Sequence, residues 1–265
     1  MNKRLIAPLL FATFSFFAAA PASALVICDG ATDVDSDGDG FSDLLECTGI
    51  PINTGTLPSS DPNTRDLFVI LAPASASLLP PRSDGTPFNP FLPATYVGSG
   101  VNVTFNGLAS LGLTVHVVAP ADVQVDRTVT LGSTQKAVRI AESTDTNGTI
   151  LGNCQWGTPD GLDGCVVYTQ RIKNFIDTTC PGNTPDERAL MFNAYITQSF
   201  LHEVGHSLGG LTADYNSRFG GYHYKSGSAL VMEQSISYSA KSGKCTWYIS
   251  SGWNPTLDVP AIRLQ

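Results

Sequence analysis

Phe200-Leu-His-Glu-Val-Gly-His-Ser-Leu-Gly-Gly210 closes a segment that reads as one long helix, and the rest of the chain is organised around it. Within it stands His202-Glu203-Val204-Gly205-His206, two histidines four residues apart. On a helix that spacing puts both imidazoles on one face, where they can share a metal ion. Glu203 follows the first histidine and is placed to take a proton from a water at the ion's open position. The start of the helix is equally legible. Thr184-Pro185-Asp186-Glu187 combines an N-cap, a proline at the first helical position and a capping-box glutamate. Leu190, Ala194, Leu201, Val204 and Leu208 form the apolar stripe, and Gly209 stands where a left-handed residue would end the helix.

Upstream lie short apolar runs bounded by loops. Asp66–Ala72, Leu113–Val118, Lys136–Ala141 and Cys165–Ile172 suit strands. Val101, Thr104, Phe105, Leu108 and Leu111 recur at helical spacing, although the alternation of Val101 and Val103 equally suits a strand. Residues 48–65 read as a turn-rich linker, and 73–98 as an extended loop rich in Pro, Ser and Gly. His116, inside an apolar strand, reads as a hydrogen-bonded core residue rather than a ligand. Strands followed by a late metal-binding helix predict a mixed α/β (α+β) domain.

The chain opens Met1-Asn-Lys3-Arg4, runs apolar from Leu5 to Ala20 and reaches Pro21-Ala22-Ser23-Ala24. That is the pattern of a secretory signal peptide, residues 1–24, and the run is too short for a good membrane anchor. Residues 25–65 then form a calcium-binding loop module with its linker, and 66–265 one larger domain. The loop is Asp33-Val-Asp35-Ser-Asp37-Gly-Asp39-Gly40-Phe41-Ser-Asp43-Leu-Leu-Glu46. Counted from Asp35, the ligand positions 1, 3, 5, 9 and 12 of an EF-hand-like loop are Asp35, Asp37, Asp39, Asp43 and Glu46. Gly40 takes the sharp turn, and Phe41 offers its backbone carbonyl. So many carboxylates repel one another unless a hard cation neutralises them.

Loss of Lys3 and Arg4 with the signal peptide takes the formal charge from −8 to −10. No Lys/Arg cluster survives, which argues against nucleic acid and anionic membrane as partners. The six cysteines are an even count in an exported chain, so three disulfides are expected. Nearest-neighbour pairing would be Cys28–Cys47, Cys154–Cys165 and Cys180–Cys245. A cysteine–zinc site is the competing use, and no C-x-x-C spacing supports it. A secreted, extracellular or periplasmic protein is expected.

The pattern His202-Glu-x-x-His206-x-x-Gly209 resembles the metzincin metallopeptidases, and the aspartate run resembles a single thrombospondin type 3-like calcium repeat. Metzincins place a third histidine three residues after the glycine. Here that place is Thr212, a poor zinc ligand, so the chain departs from the family there. His223 is the one histidine downstream and Met232 follows it in the order of the family's methionine turn. Leishmanolysin-type members carry an insertion at this point, so the detour has precedent. Asp214 and, in a gluzincin arrangement, Glu233 are the other candidates. The resemblance covers about residues 66–240 in broad order, and its specific part is 202–209, His223 and Met232. It implies a zincin-like mixed sheet with a long active-site helix, and a secreted zinc endopeptidase acting on protein or peptide substrates. His202, His206 and His223 would hold Zn2+, Glu203 would be the general base, and Ca2+ would tie down the N-terminus. Tyr224 or Tyr238 would stabilise an oxyanion, and substrate would pair with Cys165–Ile172 as an edge strand. The rival from another class is a non-catalytic, calcium-stabilised surface or adhesion protein with a degenerate site.

Overall fold

A computed structural model describes residues 28–81, 85–131, 133–155, 164–208, 231, 237–249, 251–253 and 264. The signal-peptide segment lies outside them. In chain order the elements are α1 (Asp43–Thr48), β1 (Pro51–Ile52), β2 (Gly55–Thr56), β3 (Arg65–Ala72), β4 (Ala94–Gly98), β5 (Val101–Phe105), β6 (Leu113–Val118), β7 (Val138–Ser143), β8 (Gly152–Gln155), β9 (Gly164–Tyr168), α2 (Thr169–Thr179), α3 (Pro185–Ser207), β10 (Ser237–Lys241) and β11 (Lys244–Tyr248). The protein is α+β, built on a mixed five-stranded sheet in the order β6-β3-β7-β9-β8. Strands β6, β3, β7 and β9 are parallel, and β8 closes one edge antiparallel to β9.

Strand β3 explains how the sheet is covered on both faces. Its run Leu67-Phe-Val-Ile70 is apolar without alternation, as a strand buried on two sides should be. Leu67 and Val69 join the main core, together with Ile140, Val167, Phe200, Leu201 and Val204. Phe68 and Ile70 point the other way, into a second cluster with Phe41, Ile50, Val118, Val123, Val129 and Ala137. Helix α3 lies against the first face. The aspartate-rich N-terminal segment contributes Phe41 and Ile50 to the second.

The chain forms three disulfides, Cys28–Cys47, Cys154–Cys165 and Cys180–Cys245, the nearest-neighbour set. They fit an oxidising compartment. Among the described residues no helix is long and apolar enough to cross a membrane.

Several local expectations need correction. The Cys165–Ile172 run is a strand only to Tyr168, and α2 begins at Thr169. Ile172 and Ile176, four apart, are the buried face of that helix. Strand β9 is also interior to the sheet, so the edge belongs to β8. Val101–Phe105 is a strand with alternating burial, paired with β4, which lies inside the segment read as loop. Only Ala109–Leu111 is helical there, as one 3-10 turn stopped by Gly112 at φ 71°. The linker 48–65 carries a small hairpin of β1 and β2.

Candidate functional site

Helix α3 starts at its capping box. The Thr184 side chain accepts from the Glu187 N–H at 3.2 Å, and Glu187 Oε2 accepts from the Thr184 N–H at 2.8 Å. From there the helix runs 23 residues beneath the sheet and delivers His202, Glu203 and His206 at its far end. His202 and His206 are half-buried, with their rings edge to face and their Nε2 atoms 3.2 Å apart. The Nδ1 of His202 lies 2.8 Å from the carbonyl of Val231. A carbonyl only accepts, so Nδ1 is the donor, and in the neutral ring Nε2 is then the acceptor nitrogen, the one that a metal needs. Two nitrogens bound to one tetrahedral zinc at about 2.0–2.1 Å stand roughly 3.3 Å apart. The observed imidazole pair fits that edge.

Glu203 turns the other way, toward the sheet. It is only 5% exposed and lies against the edge strand β8. There Gly152 leaves the space that a side chain would take: a Cβ on it would stand 2.7 Å from Glu203 Cδ and closer still to Oε1. Burial pushes the Glu203 carboxyl up to about 8. A dication held by the neighbouring histidines would favour its ionised form again. Cys154 and Cys165 are opposite one another in the β8–β9 register, and Cys154 Sγ lies 3.3 Å from Glu203 Oε2. Both sulfurs are in a disulfide and carry no thiolate, so this Cys–Cys–Glu cluster is packing rather than a metal site.

At the N-terminus the aspartate loop is wound as a turn around its own carboxylates. Asp35 accepts from the Gly38 and Gly40 N–H groups at 2.7 and 2.9 Å, and Gly40 has φ 100°. Asp37 and Asp39 stand beside it, with carboxylate oxygens of all three within 4.8 Å of one another. Asp39 and Glu46 form a second such group with Asp66 of β3, all three buried. Both Glu46 oxygens, Asp37 Oδ2 and Asp66 Oδ2 are buried without a hydrogen-bond partner. Burial is the first cause, and the neighbouring carboxylates add to it, of raised values for Asp37 (to about 7) and Glu46 (to about 9). Burial also raises Asp39, to about 6. An all-oxygen donor set with orphaned carboxylates fits a hard divalent cation of the calcium class.

Asp43 falls outside these two groups, although its charge adds to theirs at Glu46. Its Oδ1 accepts from the Ser36 N–H at 3.0 Å and its Oδ2 from the Ser36 hydroxyl at 2.8 Å, so it ties the loop to α1. Phe41 buries its ring against Phe68 and gives its N–H to Asp39 Oδ1 at 2.9 Å. Asp66 was not among the expected ligands. Its signal was a charged residue at the head of an apolar strand, on the same face as Phe68 and Ile70. His116 is hydrogen-bonded, as expected of it, with Nε2 at 2.8 Å from Asp66 Oδ1.

His223, Asp214, Thr212, Met232, Glu233 and Tyr224 lie outside the described residues. Tyr238 stacks on Trp247 with ring centroids 5.1 Å apart and meets Phe175 edge-on, a packed aromatic cluster. No protein-family model, no curated protein and no solved structure matches the chain.

Proposed function

We propose that this chain is an exported zinc-dependent endopeptidase of zincin-like architecture, with a calcium-stabilised N-terminal loop. One observation carries the reading: two imidazole Nε2 atoms at tetrahedral-edge separation, one fixed in tautomer by a backbone carbonyl, beside a buried glutamate under an antiparallel edge strand. His202 and His206 would hold the zinc, with the third ligand drawn from His223 or Asp214. When bound, zinc supplies Lewis-acid polarisation of the scissile carbonyl and acidifies water. Glu203 then does the proton work, accepting the proton of the attacking water and delivering it to the leaving amine. Its burial keeps bulk water from competing and sets the carboxyl against Gly152. Strand β8 has its outer edge unpaired among the described residues, so an extended substrate can add to it main chain to main chain.

The test is metal content together with cleavage. The mature chain should carry about one zinc per molecule and cut an unfolded protein substrate. His202→Ala and His206→Ala should each lose the zinc and the cleavage, while keeping the calcium response. Zinc retained in both variants would show that the ion sits elsewhere. Absence of cleavage with both metals supplied would favour the non-catalytic, calcium-stabilised surface protein.

A further inference from the structure

We propose that Asp66 is a calcium ligand contributed by the central sheet, so that the ion joins the N-terminal loop to strand β3. This rests on reading residues 35–46 as a calcium loop and is independent of the peptidase reading.

Parity places Asp66 correctly. It shares the face of β3 with Phe68 and Ile70, the face that the N-terminal segment covers through Phe41 and Ile50. Asp66 and Glu46 are both fully buried. Asp66 Oδ1 is held by His116 Nε2, and the His116 ring is stacked on Phe68 with centroids 4.7 Å apart. Oδ2 is buried without a hydrogen-bond partner, and a carboxylate oxygen of Asp66 forms one group with those of Asp39 and Glu46. The Asp66 N–H donates to Asp39 Oδ2 at 2.6 Å, which ties the loop to the strand at this junction. Gln135 locks the same junction, giving its Nε2 to the carbonyls of Asp39 (2.7 Å) and Asp66 (2.9 Å).

Three buried carboxylates leave more negative charge here than His116 alone can balance. Among the described residues no lysine or arginine forms an ion pair with these carboxylates. Arg65, next in sequence, gives its Nε to the Asp37 carbonyl at 3.1 Å. Protonation does not satisfy Glu46 either, because a neutral carboxyl needs an acceptor for its O–H and neither Glu46 oxygen has a hydrogen-bond partner. A calcium ion accepts six to eight oxygens and removes the whole deficit at once. Asp66, 20 residues after Glu46, thereby adds a carboxylate from outside the loop. His116 is a positioning residue for that carboxylate.

The experiment is calorimetric titration of the metal-free mature chain with calcium chloride, with melting temperature followed in chelator and in calcium. Asp66→Asn should weaken calcium binding by about 30-fold or more, and Asp43→Asn by no more than about 5-fold. In chelator Asp66→Asn should melt no lower than the wild type, since it removes one of three mutually repelling buried carboxylates and keeps an oxygen for His116 to bond. His116→Ala should weaken calcium about 10-fold, with His116→Gln, which keeps a donor, restoring most of it. If Asp66→Asn does not fold, the His116 pair carries the test. Wild-type affinity in Asp66→Asn, or in His116→Ala, with loss in Asp37→Asn would overturn the proposal and leave the loop as the whole site. Absence of calcium binding by the wild type would remove the loop reading and the proposal together.

Discussion

Gly152→Ala separates the cost of placing Glu203 from the cost of holding the fold. The added Cβ would stand 2.7 Å from Glu203 Cδ and 2.9 Å from Cγ. Carbon atoms in good contact sit about 3.5–4.0 Å apart, so the carboxyl must move by roughly 1 Å. The moving group is the far end of a flexible side chain, and Gly152 is in ordinary strand pairing opposite Val167. The stability change should therefore be small, about 1 kcal/mol or less, which for a chain of this size is about 2–4 °C in Tm. The effect on reaction should be large, because a 1 Å misplacement of a catalytic group costs about 100-fold in rate. Steady-state cleavage of a peptide substrate, beside Tm and zinc content, reads all three quantities. The expected result is kcat down about 100-fold, zinc retained and Tm nearly unchanged. Gly55→Ala, where a Cβ meets nothing within 4 Å, is the control and should change neither. Cleavage within about 3-fold of wild type in Gly152→Ala would refute the idea that β8 fixes the base.

Calcium removal should make stability pH-dependent in a defined direction. In the folded, calcium-free protein Asp39, Asp37 and Glu46 lie above their ordinary values, at about 6, 7 and 9. The folded state then holds protons that the unfolded state releases, so stability is full below about pH 4 and is lost as pH rises through 6 to 9. Melting in chelator should fall across that window. Calcium at about 100 times its Kd should add about 3 kcal/mol, or roughly 5–10 °C. A calcium-free Tm that rises from pH 6 to 9 would contradict the buried carboxylate cluster. Thr184→Ala removes the N-cap of α3 and should cost about 1 kcal/mol, measurable as a Tm drop of about 2–4 °C without change in zinc content.

Much of the site could be read from sequence because its parts are local. His202 and His206 share a helix face by spacing alone, and the Thr184–Glu187 box marks where that helix begins. The disulfides join cysteines that are neighbours in sequence, two of them closing short separations of 19 and 11 residues. What was illegible depends on pairing between distant segments. Asp66 reaches Glu46 only because β3 is covered on its second face by Phe41, and its carboxylate is aimed by His116 from the neighbouring strand β6. Strand β8 is four residues long and carries Gly152 and Asn153, so no periodicity announces it. By sequence the more apolar β9 is therefore the run that offers itself as the edge. In β9 itself the apolar run continues into α2, and the switch from period 2 to the Ile172–Ile176 spacing marks the junction. Val101–Phe105 shows the converse. Its helical spacing is incidental, and pairing with β4 decides for the strand.

The most direct measurement is cleavage of an unfolded protein by the mature chain beside its Glu203→Gln variant, with zinc content determined on both. Glutamine keeps the shape of the side chain and cannot take up the proton. The expected result is equal zinc and a loss of turnover of about two to four orders of magnitude in the variant. Equal cleavage by the two proteins would contradict it, since Glu203 would then have no part in the reaction.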